Sequence, residues 1–361
     1  MKKKKIYVYA ISKNEEKFAK RWYESVKSAD GIYVLDTGST DNTVKILKEL
    51  GAKVTTKEIK PWRFDVARNE SLKLVPLDAD ICVCIDIDEV ISPNWREKLE
   101  EILENEKVNH VRYIYNWSHD ENKNPKVSFY YEKIHARKNF KWVNPVHEVL
   151  KYTGSNEVWA TTNDIIVDHY PDSSKSRSSY LPLLELSVKE DPYNDRNVHY
   201  LGREYMYYGK LNEAIDTLIY HLSLKSATWK DERAASMRFI ARCYKYLKRY
   251  EEAKMWLNKA IKEAPYLRDG YIEIAILYNL LDDYNKVIYY TNKALKINKK
   301  EKTYINEVFS YNSTAYDLRS IAYYYLGKYK ASLKNIKKAI TMEPNNERFI
   351  SNKKIIEDKL K

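Results

Sequence analysis

The second half of the sequence repeats itself, and this repetition constrains the fold more than any other feature of the chain. The segments that begin at Tyr250 and Tyr329 carry small and apolar residues at matching positions, and each reaches a proline 15 residues later. In the same region, Ala241 and Ala275 lie 34 residues apart. Helical patterns with small residues at a constant interval predict stacked pairs of helices in close contact.

Small residues occupy equivalent first-helix positions at Gly202, Ala241, Ala275 and Ser320. Their unequal spacing predicts insertions near residues 226–231 and 299–309. The pattern resembles tetratricopeptide repeats, which implies an all-α repeat array. We place this array at residues 173–361, with a capping helix at residues 350–361.

Residues 1–172 follow a different pattern, in which short apolar runs alternate with helical segments. The runs predict strands at residues 5–11, 31–35, 53–58 and 80–87, and the segments between them predict helices at residues 15–29, 40–50 and 65–75. This alternation predicts a parallel sheet in an α/β domain. Ligands of such sheets bind beyond the carboxyl ends of the strands. Asp36 and Asp86 lie at such ends, so we expect them to share one crevice.

The fourth predicted strand runs directly into three acidic residues, Asp86, Asp88 and Glu89. In an extended chain, side chains two residues apart point the same way, so Asp86 and Asp88 can face one ligand. Crowded carboxylates raise one another's pKa unless a cation lies among them. Mg²⁺ or Mn²⁺ would suit these oxygen ligands and would bring a substrate phosphate with it. On its own, an Asp-x-Asp pair is more often a solvated strand end than a metal site.

Composition and charge exclude several classes of protein. The formal net charge is +12, but the lysines are interleaved with acids along the whole chain, which favours a solvated surface over a nucleic-acid site. No run approaches the roughly 18 apolar residues of a membrane helix. Cys82, Cys84 and Cys243 are predicted to be buried thiols in a reducing compartment. We therefore expect a cytoplasmic protein with no signal segment, no transmembrane segment and no nucleic-acid partner.

Four motifs in the first part carry a family resemblance: AISKNEE at residues 10–16, VLDTGSTD at 34–41, ARN at 67–69 and DIDE at 86–89. Their order and spacing resemble glycosyltransferase family 2 over roughly the first 170 residues. The resemblance implies a GT-A fold, a Rossmann-like nucleotide-diphospho-sugar transferase domain, and transfer of an activated sugar with inversion. Over most of its length, the chain resembles the subgroup of this family that has attached tetratricopeptide repeats. That subgroup includes peptide S-glycosyltransferases of the sublancin type.

The resemblance also implies roles for individual residues. Asp36 would contact the uracil and a ribose hydroxyl, and Arg68 the uracil or the diphosphate. Asp86 would contact the ribose or a metal-bound water, and Asp88 the metal itself. Asp36 could instead belong to an ordinary strand–turn–helix junction. Arg68 could instead pair with Asp65, three residues earlier on the same helical face.

Further candidates follow in the second half of the same domain. Inversion needs a base opposite the leaving group, and Glu148 is our first candidate and His147 the second. By resemblance, His169 would complete the metal shell or bind the diphosphate. Lys175 and Arg177 could close over the diphosphate. The alternatives are a packed histidine beside a surface acid, a structural His169, and a solvated linker around Lys175 and Arg177.

Together these features predict a metal-dependent inverting glycosyltransferase that uses a UDP-sugar and Mn²⁺ or Mg²⁺. The acceptor would be a peptide or protein side chain, a Cys thiol or a Ser/Thr hydroxyl, held in the groove of the repeat array. The ends of the array could be covered by a homodimer contact or by a polar cap. The alternative functions are a transferase of cell-surface glycan synthesis and a nucleotide-binding scaffold without turnover.

Overall fold

The structure is a computed structural model that describes residues 4–120, 123–172 and 178–361. The chain divides into two compact units, a first unit Met1–Ser187 and a second unit Val188–Lys361. The domain boundary expected at residue 172 lies beside residues 173–177, which are outside the described residues, and it stays a prediction.

The first unit contains strands and helices in alternation, followed by a region made mainly of strands. Its strands are β1 Ile6–Ser12, β2 Gly31–Asp36, β3 Lys53–Thr56, β4 Ile81–Cys84, β5 Glu89–Ile91, β6 His110–His119, β7 Pro125–Ala136, β8 Phe140–Val143, β9 Val149–Tyr152 and β10 Trp159–His169. Its helices are α1 Glu16–Val26, α2 Thr43–Leu50, α3 Phe64–Leu74, α4 Trp95–Ile102 and α5 Tyr180–Glu190, whose last residues fall in the second unit.

An eight-stranded sheet with the order β3-β2-β1-β4-β7-β6-β10-β5 forms the centre of this unit, and β8 pairs with β9 in a separate hairpin. Strands β1 to β4 pair in parallel, as the alternation predicts. Beyond these four strands the sheet becomes mixed, because β7 runs antiparallel to β4 and β6, and β5 antiparallel to β10. Because β7 is antiparallel to both β4 and β6, strands β6 and β10 run in the same direction as β1. The carboxyl ends of β1, β2, β4, β6 and β10 therefore meet at one edge.

Two buried tryptophans fix the helices that pack on this sheet. The indole N–H of Trp22 on α1 donates to the carbonyl oxygen of Ile85 at 3.1 Å, and that of Trp95 on α4 donates to the carbonyl oxygen of Ser25 at 3.0 Å. Each large apolar ring thus enters the core with its polar atom satisfied. The first of these bonds holds the backbone immediately before Asp86.

The second unit is helical, with the repeat architecture that the sequence predicts. Its helices are α6 Asp195–Tyr207, α7 Leu211–Ser223, α8 Lys230–Tyr246, α9 Tyr250–Glu263, α10 Arg268–Leu280, α11 Tyr284–Leu295, α12 Thr314–Tyr325, α13 Tyr329–Met342 and α14 Glu347–Asp358, with a 3₁₀ turn at Val308–Ser310. The predicted small residues lie on the first helices α6, α8, α10 and α12. The insertion predicted at residues 299–309 falls in the connection 296–313, and the one predicted at residues 226–231 overlaps the connection 224–229 and the first two residues of α8.

The small residues let paired helices approach closely. A Cβ built on Gly202 would lie 2.6 Å from Cγ of Leu218 on α7, so the α6–α7 contact leaves no room for a side chain. At the α12–α13 contact, the Ser332 hydroxyl donates to the carbonyl oxygen of Ser320 at 2.8 Å. The period seen in the sequence is therefore the period of helix–helix contacts.

No helix in the described part of the chain has both the length and the apolarity that crossing a membrane requires. The three cysteines are free and buried. Burial raises the pKa of Cys82 to about 12 and that of Cys84 to about 11, so both are protonated thiols at neutral pH.

Candidate active site

The carboxyl edge of the large sheet gathers most of the predicted site residues. Asp36 ends β2, Asp86 and Asp88 follow β4, and His169 ends β10. Because these strands run in the same direction within one sheet, their ends share an edge, where α/β proteins commonly bind ligands.

Arg68 of α3 is a buried side chain that joins two of the predicted carboxylates. Its Nη2 donates to Oδ2 of Asp86 at 2.9 Å, and its Nε donates to Oε1 of Glu148 at 2.7 Å. Burial acts to lower the pKa of Arg68, but the neighbouring negative charges, Asp86 foremost, outweigh it and raise the pKa. The alternative pairing with Asp65 is not the one observed, since Asp65 binds Arg63 at 2.9 Å.

Lys133 of β7 is a second buried cation at this edge, and it is not among the site residues that the sequence predicts. Its Nζ donates to Oδ2 of Asp86 at 3.0 Å and to the two oxygens of Glu89 at 2.7 and 2.8 Å. Asp86 and Glu89 precede Lys133 in the chain by 47 and 44 residues, so no local sequence pattern predicts the pairing. A lone lysine in a strand, here between Glu132 and Ile134, predicts only a solvent-facing side chain.

The two cations decide the charge state of the acidic motif. Burial acts to raise the pKa of Asp86, but Arg68 and Lys133 outweigh it and hold the pKa well below its usual range. Burial raises the pKa of Glu89, with Lys133 opposing the rise. From the sequence, a metal ion is the expected means of relieving repulsion in this motif. For Asp86 and Glu89, two buried side chains do so.

Asp88 and His169 form a separate pair at the same edge. Oδ2 of Asp88 lies 3.4 Å from Nε2 of His169. Nδ1 of His169 lies 3.1 Å from the carbonyl oxygen of Trp117, so we assign the proton of the neutral ring to Nδ1, and the cationic ring carries a second proton on Nε2. Burial acts to lower the pKa of His169, but the hydrogen bond and charge of Asp88 outweigh it and raise the pKa.

The chemistry of this pair fits a divalent metal ion. A carboxylate oxygen faces an imidazole nitrogen whose partner nitrogen is held by a backbone carbonyl, the usual setting of a metal-ligating histidine. The side chain of Asp88 is 23% exposed, so a phosphate group can reach it from solvent. An imidazole ligand favours Mn²⁺ over Mg²⁺, because Mg²⁺ selects oxygen ligands more strictly.

Asp36 organises the turn after β2. Its Oδ2 accepts hydrogen bonds from the backbone N–H groups of Gly38 and Ser39 at 3.1 and 3.0 Å, and its Oδ1 accepts one from the Ser12 hydroxyl at 3.1 Å. Gly38 has a φ of +107°, which residues with a side chain rarely adopt. Asp36 therefore stabilises a strand–turn junction, and its contact with a base stays a prediction.

His147 and Glu148 lie in the loop between β8 and β9, and the motif around Arg68 fixes this hairpin. The Asn69 side chain donates to the carbonyl oxygen of Trp142 at 2.8 Å and accepts from its N–H at 2.9 Å. His147 has a φ of +51°, a strained backbone conformation of the kind that clusters at functional sites. Its ring centroid lies 5.8 Å from that of Tyr180. The sequence motif contains Asn69 but does not predict this structural role for it.

The predicted residues Lys175 and Arg177 lie outside the described residues. Two neighbouring contacts are described: Asp172 pairs with Lys17 at 2.7 Å, and the guanidinium of Arg21 lies 4.1 Å from the ring centroid of Tyr170. A role in diphosphate binding stays a prediction for both residues.

Similar solved structures include that of MamA, which is 20% identical over 50% of this chain and 99% of its own, with a TM-score of 0.39. Another is TTC0263, a thermophilic tetratricopeptide repeat protein from Thermus thermophilus. It is 17% identical over 49% of this chain and 88% of its own, with a TM-score of 0.35.

Sequence comparisons address both units. The chain is 38% identical over 112 residues to the uncharacterized glycosyltransferase RT0209 of Rickettsia typhi, and 37% identical over 112 residues to an uncharacterized glycosyltransferase of Rickettsia bellii. Each alignment covers 31% of this chain. The chain spans only 36% of the length of either relative. Residues 7–151 match the model of glycosyl transferase family 2, and residues 239–266 and 313–346 match the tetratricopeptide repeat model. The chain thus carries an N-terminal glycosyl transferase family 2 domain followed by tetratricopeptide repeats.

Proposed function

We propose that the chain is a metal-dependent inverting glycosyltransferase that moves a sugar from a UDP-sugar to a side chain of a peptide or protein. The observation that carries the proposal is the arrangement at the carboxyl edge, where Arg68 ties Asp86 to Glu148 beside the Asp88–His169 pair. A family 2 domain supports the reaction class, and the repeats support a polypeptide partner.

The donor half of the site would bind the nucleotide sugar through carboxylates and one metal ion. Asp88 and His169 would hold Mn²⁺ or Mg²⁺, which when bound neutralises charge on the departing nucleoside diphosphate. Asp36 would exchange one of its local hydrogen bonds for the uracil. Asp86 would contact the ribose. Arg68, held on both sides, would position carboxylates instead of reaching the diphosphate.

The acceptor half would supply the base. In a direct displacement, the acceptor sulfur or oxygen forms a bond to the anomeric carbon while the bond to the diphosphate breaks. Glu148 would take the acceptor's proton, and His147 is the second candidate for this role. Because Arg68 fixes one oxygen of Glu148, the carboxylate would be held ready in one orientation. The groove of the repeats would hold the acceptor peptide.

Thermal unfolding against nucleotides and nucleotide sugars, each with and without Mn²⁺, tests the donor half. A ligand that binds only the folded state raises the melting temperature by mass action. We expect a rise with UDP or a UDP-sugar that needs Mn²⁺, that disappears in Asp88→Ala, and that persists in the surface control Glu97→Ala. A flat response across the whole set would overturn the proposed donor.

One observation favours a second candidate function, a nucleotide-binding scaffold. Asp36 and Asp86 are both engaged by groups of the protein itself, as they would be in a domain that no longer turns over substrate. Metal-dependent nucleotide binding without release of UDP from any UDP-sugar, in the presence of peptides with Cys, Ser and Thr, would support the scaffold over the enzyme.

A further inference from the structure

Three potential metal ligands converge in the second unit. Asp195 lies in the first turn of α6, His221 in the last turn of α7 and Glu232 in the first turn of α8. One ligand atom of each lies within 4.8 Å of the others. Nε2 of His221 is 3.4 Å from Oε1 of Glu232. The proposed transfer reaction uses none of these residues.

The histidine at the centre of this cluster has an unsatisfied nitrogen. The His221 side chain is fully buried, and its Nε2 makes no hydrogen bond within the described parts of the chain. Leaving a buried polar atom without a partner costs about 1–3 kcal/mol. At Nε2 of His221, a metal ion, another ligand or a water molecule would supply the missing partner.

The surroundings orient the cluster as the outer shell of a metal site does. The Ser236 hydroxyl lies 2.9 Å from Nδ1 of His221 and 2.7 Å from Nδ1 of His199. We assign the hydroxyl as donor to His199 and acceptor from Nδ1 of His221, which leaves the lone pair of His221 on Nε2. The Tyr304 hydroxyl donates to Oε2 of Glu232 at 2.7 Å, so Oε1 is the oxygen nearest His221.

We propose that Asp195, His221 and Glu232 bind a divalent transition-metal ion of the Zn²⁺ class. Tetrahedral zinc has bonds of roughly 2.0–2.1 Å to nitrogen and oxygen, which places neighbouring ligand atoms roughly 3.4 Å apart. The observed separation of 3.4 Å between His221 and Glu232 matches this edge. Two carboxylates and a neutral imidazole balance a divalent charge, and imidazole favours zinc over magnesium.

The position of the ligands defines what the ion would do. They come from three consecutive helices, so the ion would cross-link α6, α7 and α8 at the start of the array. Metal binding that requires the folded arrangement contributes its binding free energy to folding. The ion would therefore stabilise the first repeats, and it would take no part in sugar transfer.

Metal content and thermal unfolding of the full-length protein test this proposal. The background variant Asp88→Ala removes a ligand of the proposed catalytic metal site. After treatment with a chelator, exposure to Zn²⁺ and dialysis, we expect one equivalent of zinc by mass spectrometry and a higher melting temperature. In the same background, His221→Gln and Asp195→Asn should each weaken zinc binding by about tenfold or more. The matched control Asp216→Asn, at an exposed position on α7, should keep both.

Substoichiometric zinc in the background variant would overturn the proposal, and so would undiminished zinc in a folded Asp195→Asn protein. In that case His221 and Glu232 would be an ordinary buried pair. Asp195 is only half-buried, so Asp195→Asn keeps the test decisive if His221→Gln fails to fold. Replacement by Co²⁺ adds a second readout, since a tetrahedral site gives strong visible absorption that should disappear in Asp195→Asn.

Discussion

Nε of Arg68 donates a 2.7 Å hydrogen bond to Oε1 of Glu148, a residue 80 positions further along the chain. The same guanidinium binds Asp86, which follows β4. One buried cation thus connects the acidic motif with the β8–β9 hairpin. This contact joins the proposed donor and acceptor halves of the site, and it makes Arg68 a positioning residue for both.

Replacing the Arg68 guanidinium by an ammonium should break the link between the proposed donor and acceptor halves of the site. The variant Arg68→Lys keeps the positive charge, but a lysine ammonium cannot form the forked contacts with Asp86 and Glu148 at once. We expect a fall of about a hundredfold in kcat of sugar transfer, as for a misplaced catalytic group. Steady-state kinetics of sugar transfer from one chosen UDP-sugar would measure this fall in kcat. Arg63→Lys is the matched control, and equal rates for both variants would contradict the role of Arg68.

Removing Lys133, the second buried cation at the carboxyl edge, should lower the free energy of unfolding. Lys133→Met leaves Glu89 buried without its charged partner, and breaking such a pair costs about 3–5 kcal/mol. Urea unfolding would measure the loss in the free energy of unfolding. The exposed strand residue Lys141 provides a matched control, since Lys141→Met should change stability by less than about 0.5 kcal/mol. A loss below about 1 kcal/mol in Lys133→Met would contradict a stabilising network.

The sequence predicts the part of this site that local pattern encodes. Strand–helix alternation places β1 to β4, and the acidic residues after β4 follow directly from it. Lys133 could not be predicted, because its strand reverses direction and its partners Asp86 and Glu89 are distant in the chain. Asn69 could be found only as part of a motif, since its contact with Trp142 depends on where the β8–β9 hairpin docks.

The second unit is more predictable for a physical reason. Each repeat packs mainly on its neighbours, so the contacts that need small residues recur at the repeat period. Gly202 marks such a contact, and so does Ser320. The cluster of Asp195, His221 and Glu232 has no such period, because each residue comes from a different helix terminus. Its assembly becomes visible only when α6, α7 and α8 are stacked.

The close contact at Gly202 gives a direct test of the repeat packing. Gly202→Ala gains about 1 kcal/mol of helix propensity, but overpacking against Leu218 costs about 1–3 kcal/mol, so we expect a net loss of stability. Chemical unfolding of the single and double variants would reveal the cause. Leu218→Ala makes room for the added methyl group, so the double variant should be more stable than the sum of the single changes by at least about 0.5 kcal/mol. Simple additivity would rule out the steric explanation.

The buried His135 should make the first unit sensitive to acid. Burial lowers its pKa to about 3, while an unfolded chain has a His pKa of about 6.5. Between these values only the unfolded state binds the proton, so stability falls as the pH falls. The contribution is about 1.4 kcal/mol per pH unit. Urea unfolding at pH 6, 5 and 4 should show a shallower dependence in His135→Gln, and an unchanged slope would contradict this origin.

Release of UDP and mass spectrometry of an acceptor peptide test the central proposal most directly. The protein would be incubated with Mn²⁺, a set of UDP-sugars, and peptides that differ only in a central Cys, Ser or Thr. We predict UDP release together with the addition of one sugar to one peptide type. Both should fall to background in Asp88→Ala and persist in Glu97→Ala. Undiminished transfer by folded Asp88→Ala, or no UDP release from any UDP-sugar, would contradict the proposed function.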